Sequence, residues 1–312
     1  MIRVKRIIAA LLCAVCVLTF ASCSDRVQGV DRPGGKTAVV LTEESSDFKL
    51  EITEEEYDYY YLNFLAEGIG SEDAKEKALD ELKRIAAVYS LAKEHEVELD
   101  SDARKTVEAE VDAAIEQVGG EKKFKEGLAE FNMTEDIYIS LSQMNSLEIA
   151  LRDYITDKAS GVIRSDDVTV EADIKENFIA AKQILISNDE GDDPDQNRAL
   201  AADIAAKLAD GADFDEFVSE YGEDENMDAE YGRYFTAGMF PDAFEEAAED
   251  LSVGEMSGVV ESDVGFHIIL RMPVEDEYIN ENFNTLRYYY LNRTFNEMLE
   301  ERAENIKAEF KD

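Results

Sequence analysis

Cysteine and histidine are scarce in this 312-residue chain, which has Cys13, Cys16 and Cys23 and only His95 and His267. Cys13 and Cys16 fall in an N-terminal apolar run that reads as a removable leader, so the mature chain keeps one cysteine and forms no internal disulfide. Without a His/Cys cluster, neither a structural zinc site nor any other cofactor is expected. His95, between Glu94 and Glu96, reads as a surface residue. Cations are also short: 31 Lys and Arg face 72 Asp and Glu, for a net charge of −41. Such a chain repels a phosphate backbone, so nucleic acid is excluded as a partner. The acidity is either a solvated coat or an attraction for cationic partners or cations. Past the leader no apolar run is long enough to cross a bilayer. No internal repeat is visible, and no pair of α/β lobes suggests a solute-binding protein.

What is present begins with an address. Arg3, Lys5 and Arg6 precede the apolar run Ile7 to Phe20, followed by Ala21-Ser22-Cys23. Small residues before a cysteine resemble the lipobox of bacterial lipoproteins, although Phe20 stands where leucine is usual. That resemblance implies a signal peptide over 1–22 and a lipid on the Cys23 sulfur, which would hold the chain on the outer face of a membrane. An ordinary secretory signal cut nearby is the alternative. Residues 23–48, with Gly, Pro and Ser and no apolar period, read as a flexible tether.

From 49 to 170 the spacing turns helical. Tyr57, Tyr60, Tyr61, Phe64 and Leu65 share one face, Ala78, Leu82, Ile85 and Tyr89 another, and Val107, Val111, Ile115 and Val118 a third. Gly119-Gly120 stops the pattern and Thr134-Glu135-Asp136 restarts it, giving four or five helices. The segment 279–312 is again helical, with a stripe through Phe283, Tyr290, Phe295, Met298, Ile306 and Phe310 that needs a partner surface. Linkers are expected near 158–167 and 272–278.

Between these helical regions, 176–275 reads as a separate α+β domain. It has a strand at Gln183–Ile186, helices at Asp195–Asp210 and Phe214–Tyr221, and an irregular glycine-containing stretch. A short helix around Phe244–Asp250 and strands at Gly258–Ser262 and Gly265–Arg271 follow. This predicts a small, mostly antiparallel sheet with surrounding helices. Taken alone, Phe240 and Phe244 are either plain core or the wall of a slot, His267 is either a satisfied core histidine or part of a site, and Asp224 is either solvated or functional.

A resemblance goes further. Gly211-Ala212-Asp213-Phe214, then Gly232, Phe235, Gly238, Phe244 and Glu245-Glu246-Ala247-Ala248, then Val253-Gly254-Glu255-Met256-Ser257 and Gly265-Phe266-His267-Ile268-Ile269 occur in the order of parvulin-type peptidyl-prolyl isomerases. With the export signal and flanking helices, the whole resembles the PrsA-like foldases and the related SurA-type chaperones. The resemblance implies a parvulin-like domain inserted into an all-α chaperone domain that the C-terminal helix completes. It implies a proline slot from Met239, Phe240 and Phe244, with Phe240 where the family usually has methionine. It implies a polar floor from Gln183, Asp224, Ser262 and His267. His267 corresponds to the second of two family histidines, whereas the first is Gln183 here, which hydrogen-bonds but cannot titrate. Phosphate-directed relatives carry basic residues after the first strand; the acidic run Asn188 to Asp193 would repel a phosphorylated client. The implied partners are unfolded, proline-containing exported chains, and the lipid bilayer through Cys23. The alternative is a holding chaperone whose isomerase is weakened by Gln183. The oligomeric state is left open, a dimer being one option.

Overall fold

A computed structural model describes residues 26–44, 46–188, 193–224 and 226–311. The leader 1–22 and Cys23 lie outside the described residues, as does 189–192 of the acidic loop. The chain divides into two compact units, one of residues up to Ser160 together with Phe295–Asp312, the other Gly161–Thr294.

The first unit opens with β1 (Arg26–Val27), β2 (Val30–Asp31), β3 (Thr37–Glu43) and β4 (Lys49–Thr53). Five helices follow: α1 (Glu54–Ala66), α2 (Ser71–Glu94), α3 (Ser101–Val118), α4 (Glu121–Ala129) and α5 (Glu135–Thr156). Their starts are local chemistry. The Thr53 hydroxyl accepts from the Glu56 N–H at 3.2 Å while the Glu56 carboxylate accepts from the Thr53 N–H at 2.8 Å, satisfying two orphan donors at once. The same carboxylate pairs with buried Arg32 at 2.6 Å. Gly119 ends α3 in the left-handed region at φ 91°, as the double glycine led one to expect. His95 caps α2, half-buried, with its ring 5.7 Å from that of Tyr154.

Two expectations need correction here. From Arg26 onward the supposed flexible tether 23–48 is structured, with Val30, Val39 and Leu41 completely buried. The supposed helix 279–312 is α10 (Asp276–Glu304) followed by a strand, β9 (Ile306–Phe310). One cause explains both. β9 pairs antiparallel with β3, Val39 opposite Phe310 and Glu43 opposite Ile306, so the sheet runs β4-β3-β9. The run Ala38-Val39-Val40-Leu41 therefore fills the middle of a sheet completed from the far end of the chain, a pairing invisible to any local window. The first unit is helical with a three-stranded sheet, not purely helical.

The second unit contains α6 (Asp167–Asn177), β5 (Ile179–Ser187), α7 (Pro194–Ala209) and α8 (Phe214–Tyr221). It continues with β6 (Arg233–Phe235), α9 (Asp242–Asp250), β7 (Val260–Ser262) and β8 (Gly265–Met272), and takes α10 as far as Thr294. All pairs in its sheet are antiparallel, in the order β6-β5-β8-β7. β6 lies in the stretch expected to be irregular, and α6 fills part of the region between the expected domains. Gly232 makes β6 possible: its φ is +75°, and a Cβ there would meet the Ala181 carbonyl oxygen at 2.5 Å.

β5 is buried on both faces, so period-2 alternation splits its side chains between two cores. Ile184 and Ile186 pack with Phe266 and Ile268 against Ala201 and Ile204 of α7. On the other face Ala181 and Ile269 meet Phe235 and, from α9, Phe244 and Ala248. The mixed α+β class stands, and the second face carries the polar groups of interest.

Candidate functional site

Register builds the site. Gln183 lies opposite Ile269 and His267 opposite Leu185, which makes Gln183 and His267 diagonal neighbours on one face. Val260 lies opposite His267, so Ser262, two residues along β7, is the diagonal neighbour on the other side. Diagonal positions are roughly 7–8 Å apart, within reach of long polar side chains. The His267 ring bridges them: Nδ1 is 2.8 Å from Gln183 Oε1, and Nε2 is 2.8 Å from Ser262 Oγ.

Proton positions follow from the end of this row. Gln183 Nε2 donates to Asp224 Oδ2 at 2.7 Å, and Arg233 donates to both oxygens of Asp224, at 3.0 and 2.6 Å. A carboxylate only accepts, so the Gln183 amide nitrogen faces Asp224 and its oxygen faces His267. His267 Nδ1 must therefore carry the hydrogen, which leaves Nε2 to accept from the Ser262 hydroxyl. Every bond in the chain Ser262, His267, Gln183, Asp224 then points the same way. Burial raises the Asp224 carboxyl, but the hydrogen bonds from Arg233 and Gln183 outweigh it and hold the group below its ordinary value. Burial of His267, only partly opposed by the charges of Asp263 and Asp224, pulls its pKa down to about 4. At neutral pH the imidazole is uncharged.

Aromatic rings flank the polar row. Phe240 stacks on Phe244 at 4.7 Å between centroids, Phe235 meets both, and the Phe244 ring stands edge-on to His267 at 5.3 Å. The Arg233 guanidinium lies 5.9 Å from the Phe240 ring, tying the aromatic group to the carboxylate end of the row. Exposure sorts these residues. Phe244 is 0% exposed, His267 1% and Gln183 2%, whereas Met239 is 38% exposed and Phe240 half-buried. Phe244, expected in the slot wall, is here the backing beneath Phe240, because α9 carries it into the core formed with Phe235 and Ile269. The outer surface belongs to Met239 and Phe240. Their loop is held by one side chain: the Glu245 carboxylate accepts from the N–H groups of Gly238, Met239 and Phe240 at 2.9, 2.8 and 2.7 Å.

Residues 168–272 match the family model described as the PPIC-type PPIASE domain. This segment is a PPIC-type isomerase domain. Over 206 residues the chain is 31% identical to the foldase protein PrsA of Oceanobacillus iheyensis, covering 62% of this chain and 62% of that one. Over 90 residues it is 34% identical to the chaperone SurA of Chromohalobacter salexigens, covering 28% of this chain and 21% of that one. A crystal structure of the peptidylprolyl isomerase PrsA from Bacillus anthracis is 22% identical, over 72% of this chain and 96% of that one, with a TM-score of 0.33. The chain thus spans between about a fifth and three fifths of these two curated relatives.

Within the PPIC-type domain the fold brings Gln183, Asp224, Ser262 and His267 into one hydrogen-bonded row and Met239, Phe240 and Phe244 beside it. Cys23 lies outside the described residues. Sequence reasoning missed Arg233 and gave Glu245, noted only as part of a motif, no role of its own. The signal for Arg233 was its scarcity, an arginine in a strongly acidic chain nine residues from a candidate aspartate. Glu245 was hidden in an acidic run, where only coordinates distinguish a bonded carboxylate from a solvated one.

Proposed function

We propose that this chain is an extracytoplasmic foldase that isomerises X-Pro bonds in exported proteins, is tethered to the membrane through a lipid on Cys23, and holds unfolded clients with its helical unit. The observation that carries the catalytic part is the Met239–Phe240 surface, backed by Phe244, beside the buried row from Ser262 to Asp224.

Rotation about an X-Pro bond crosses a barrier of roughly 18–20 kcal/mol set by amide resonance, so no proton need be transferred. A site accelerates it by gripping the proline and withdrawing water from the carbonyl, which favours the twisted amide over the planar one. Phe240 and Met239 offer the apolar grip. Gln183 and His267, nearly inaccessible, act as positioning residues that hold Ser262 and Asp224, while Arg233 is the solvent-reaching donor at the end of the row, its side chain 29% exposed.

A second reading is a lipid-anchored holding chaperone with little isomerase activity. Gln183 favours it: the amide locks the row in one direction, where an imidazole would allow a proton to move. A protease-coupled assay with a proline tetrapeptide and the full chain separates the two readings. Catalysis above buffer supports the isomerase, and a rate equal to buffer leaves the holding role alone.

A further inference from the structure

The helical unit holds a cavity of about 310 Å³ far from the isomerase row in sequence, walled by Tyr59, Tyr60 and Phe64 of α1 and by Phe131, with the carboxylates of Glu67 and Glu81 among its lining. That volume is at the lower end for small-ligand sites. Aromatic faces attract cations through their quadrupole, and more so where water is partly excluded. Both carboxylates are on exposed residues, and among the described residues neither is in an ion pair. The nearby cation Arg84 feels the charge of Glu81 but gives its hydrogen bonds to Glu148, at 3.0 and 3.2 Å, and no Lys or Arg is among the lining residues. The tyrosines register the local field: burial first, then Glu81, raises the Tyr59 phenol, and burial, Tyr59 and Glu81 raise that of Tyr60. The cavity is thus apolar-walled, negative and without a cation of its own.

We infer that this cavity binds an arginine or lysine side chain of an unfolded client, the stem against Tyr59, Tyr60 and Phe64 and the charged head between Glu67 and Glu81. Long basic side chains suit such a site because their methylene stems bury readily while the head stays charged. Charge complementarity selects this occupant over a purely apolar one: the chain carries a net −41, so a basic client also meets a favourable long-range field. The inference gives the holding role proposed above its chemical class, and it is independent of catalysis.

The test is calorimetric binding of two proline-free peptides to the full chain, identical except that a central arginine is replaced by norleucine. The arginine peptide is expected to bind roughly tenfold more tightly, and the preference to fall with added salt. The double variant Glu67→Gln, Glu81→Gln should remove most of that preference while leaving tetrapeptide isomerisation unchanged. A control variant, Glu76→Gln with Glu116→Gln, removes two exposed charges elsewhere on the same unit and should keep it. Equal binding of the two peptides, no binding of either, or an equal loss in the control variant overturns the inference. Loss of isomerisation in the double variant would also overturn it, since the effect would then not be confined to the cavity, whereas absence of isomerisation in the wild-type chain would count against the isomerase proposal alone.

Discussion

The direction of the hydrogen-bond row makes a quantitative pH prediction for His267. Its pKa in the folded protein is pulled down to about 4, against 6.5 for an ordinary histidine. As pH falls, the unfolded chain therefore takes up this proton before the folded one does. Stability from the neutral imidazole is fully present above pH 6.5, is lost as pH falls from there, and stops falling below about pH 4. At 1.36 kcal/mol per pH unit the full loss is about 3 kcal/mol, of which about 2 kcal/mol has gone by pH 5. Protonation also reverses a bond: Nε2 would have to donate to Ser262 Oγ, which now donates to it. The assay is twofold. NMR titration of the His267 ring should give a midpoint near 4, and hydrogen exchange of β8 amides at pH 7 and pH 5 should show the loss of protection. In the His267→Gln variant the same drop in pH should cost about 2 kcal/mol less. A midpoint at or above 6.5, or identical pH dependence in wild type and variant, would refute the assignment of a buried neutral imidazole.

Other predictions follow from the same geometry. Replacing Gln183 by His removes the amide lock and should raise peptide isomerisation by about tenfold, the equivalent of one good hydrogen bond; an unchanged rate would show that the glutamine is not limiting. Arg233→Met leaves the Asp224 carboxylate with Gln183 and the Asn226 N–H as donors but no cation, and should lower stability by about 2 kcal/mol in thermal melts, since breaking one side of a buried pair is costly. Arg233→Lys should recover less than half of that loss, because a single ammonium cannot reproduce the fork. In cells, palmitate labelling should be lost in Cys23→Ala, and labelling that persists would remove the lipid tether.

How much of this was legible in the sequence depended on range. Helices α1, α2, α3 and α5 announced themselves through 3.6-residue spacing, and Thr134 and Gly119 act as their letters suggest, whereas α4, nine residues long and begun by a glycine without a side-chain cap, carried no such signal. Helix α8 runs from Phe214 to Tyr221, where its amphipathic octet predicts it. The failures were non-local. β3 looked like tether because its partner β9 is more than 250 residues away, so no window contained both halves of the sheet. β6 is three residues long and depends on Gly232 fitting beneath the Ala181 carbonyl, a contact that composition cannot show. At the site, the residue types came from the family resemblance, but the direction of the row did not. It required seeing that Asp224 fixes the Gln183 amide, which in turn fixes the His267 tautomer. Burial also reassigned Phe244 from the surface of the wall to its backing.

Exchange NMR on a proline peptide, with the full chain as wild type and as Phe240→Ala, tests the proposal most directly. Wild type should speed cis/trans exchange, and Phe240→Ala, which strips the exposed face while leaving the buried row intact, should reduce that effect by at least about tenfold, the equivalent of roughly 1.4 kcal/mol of transition-state binding. Catalysis undiminished in Phe240→Ala would contradict the account.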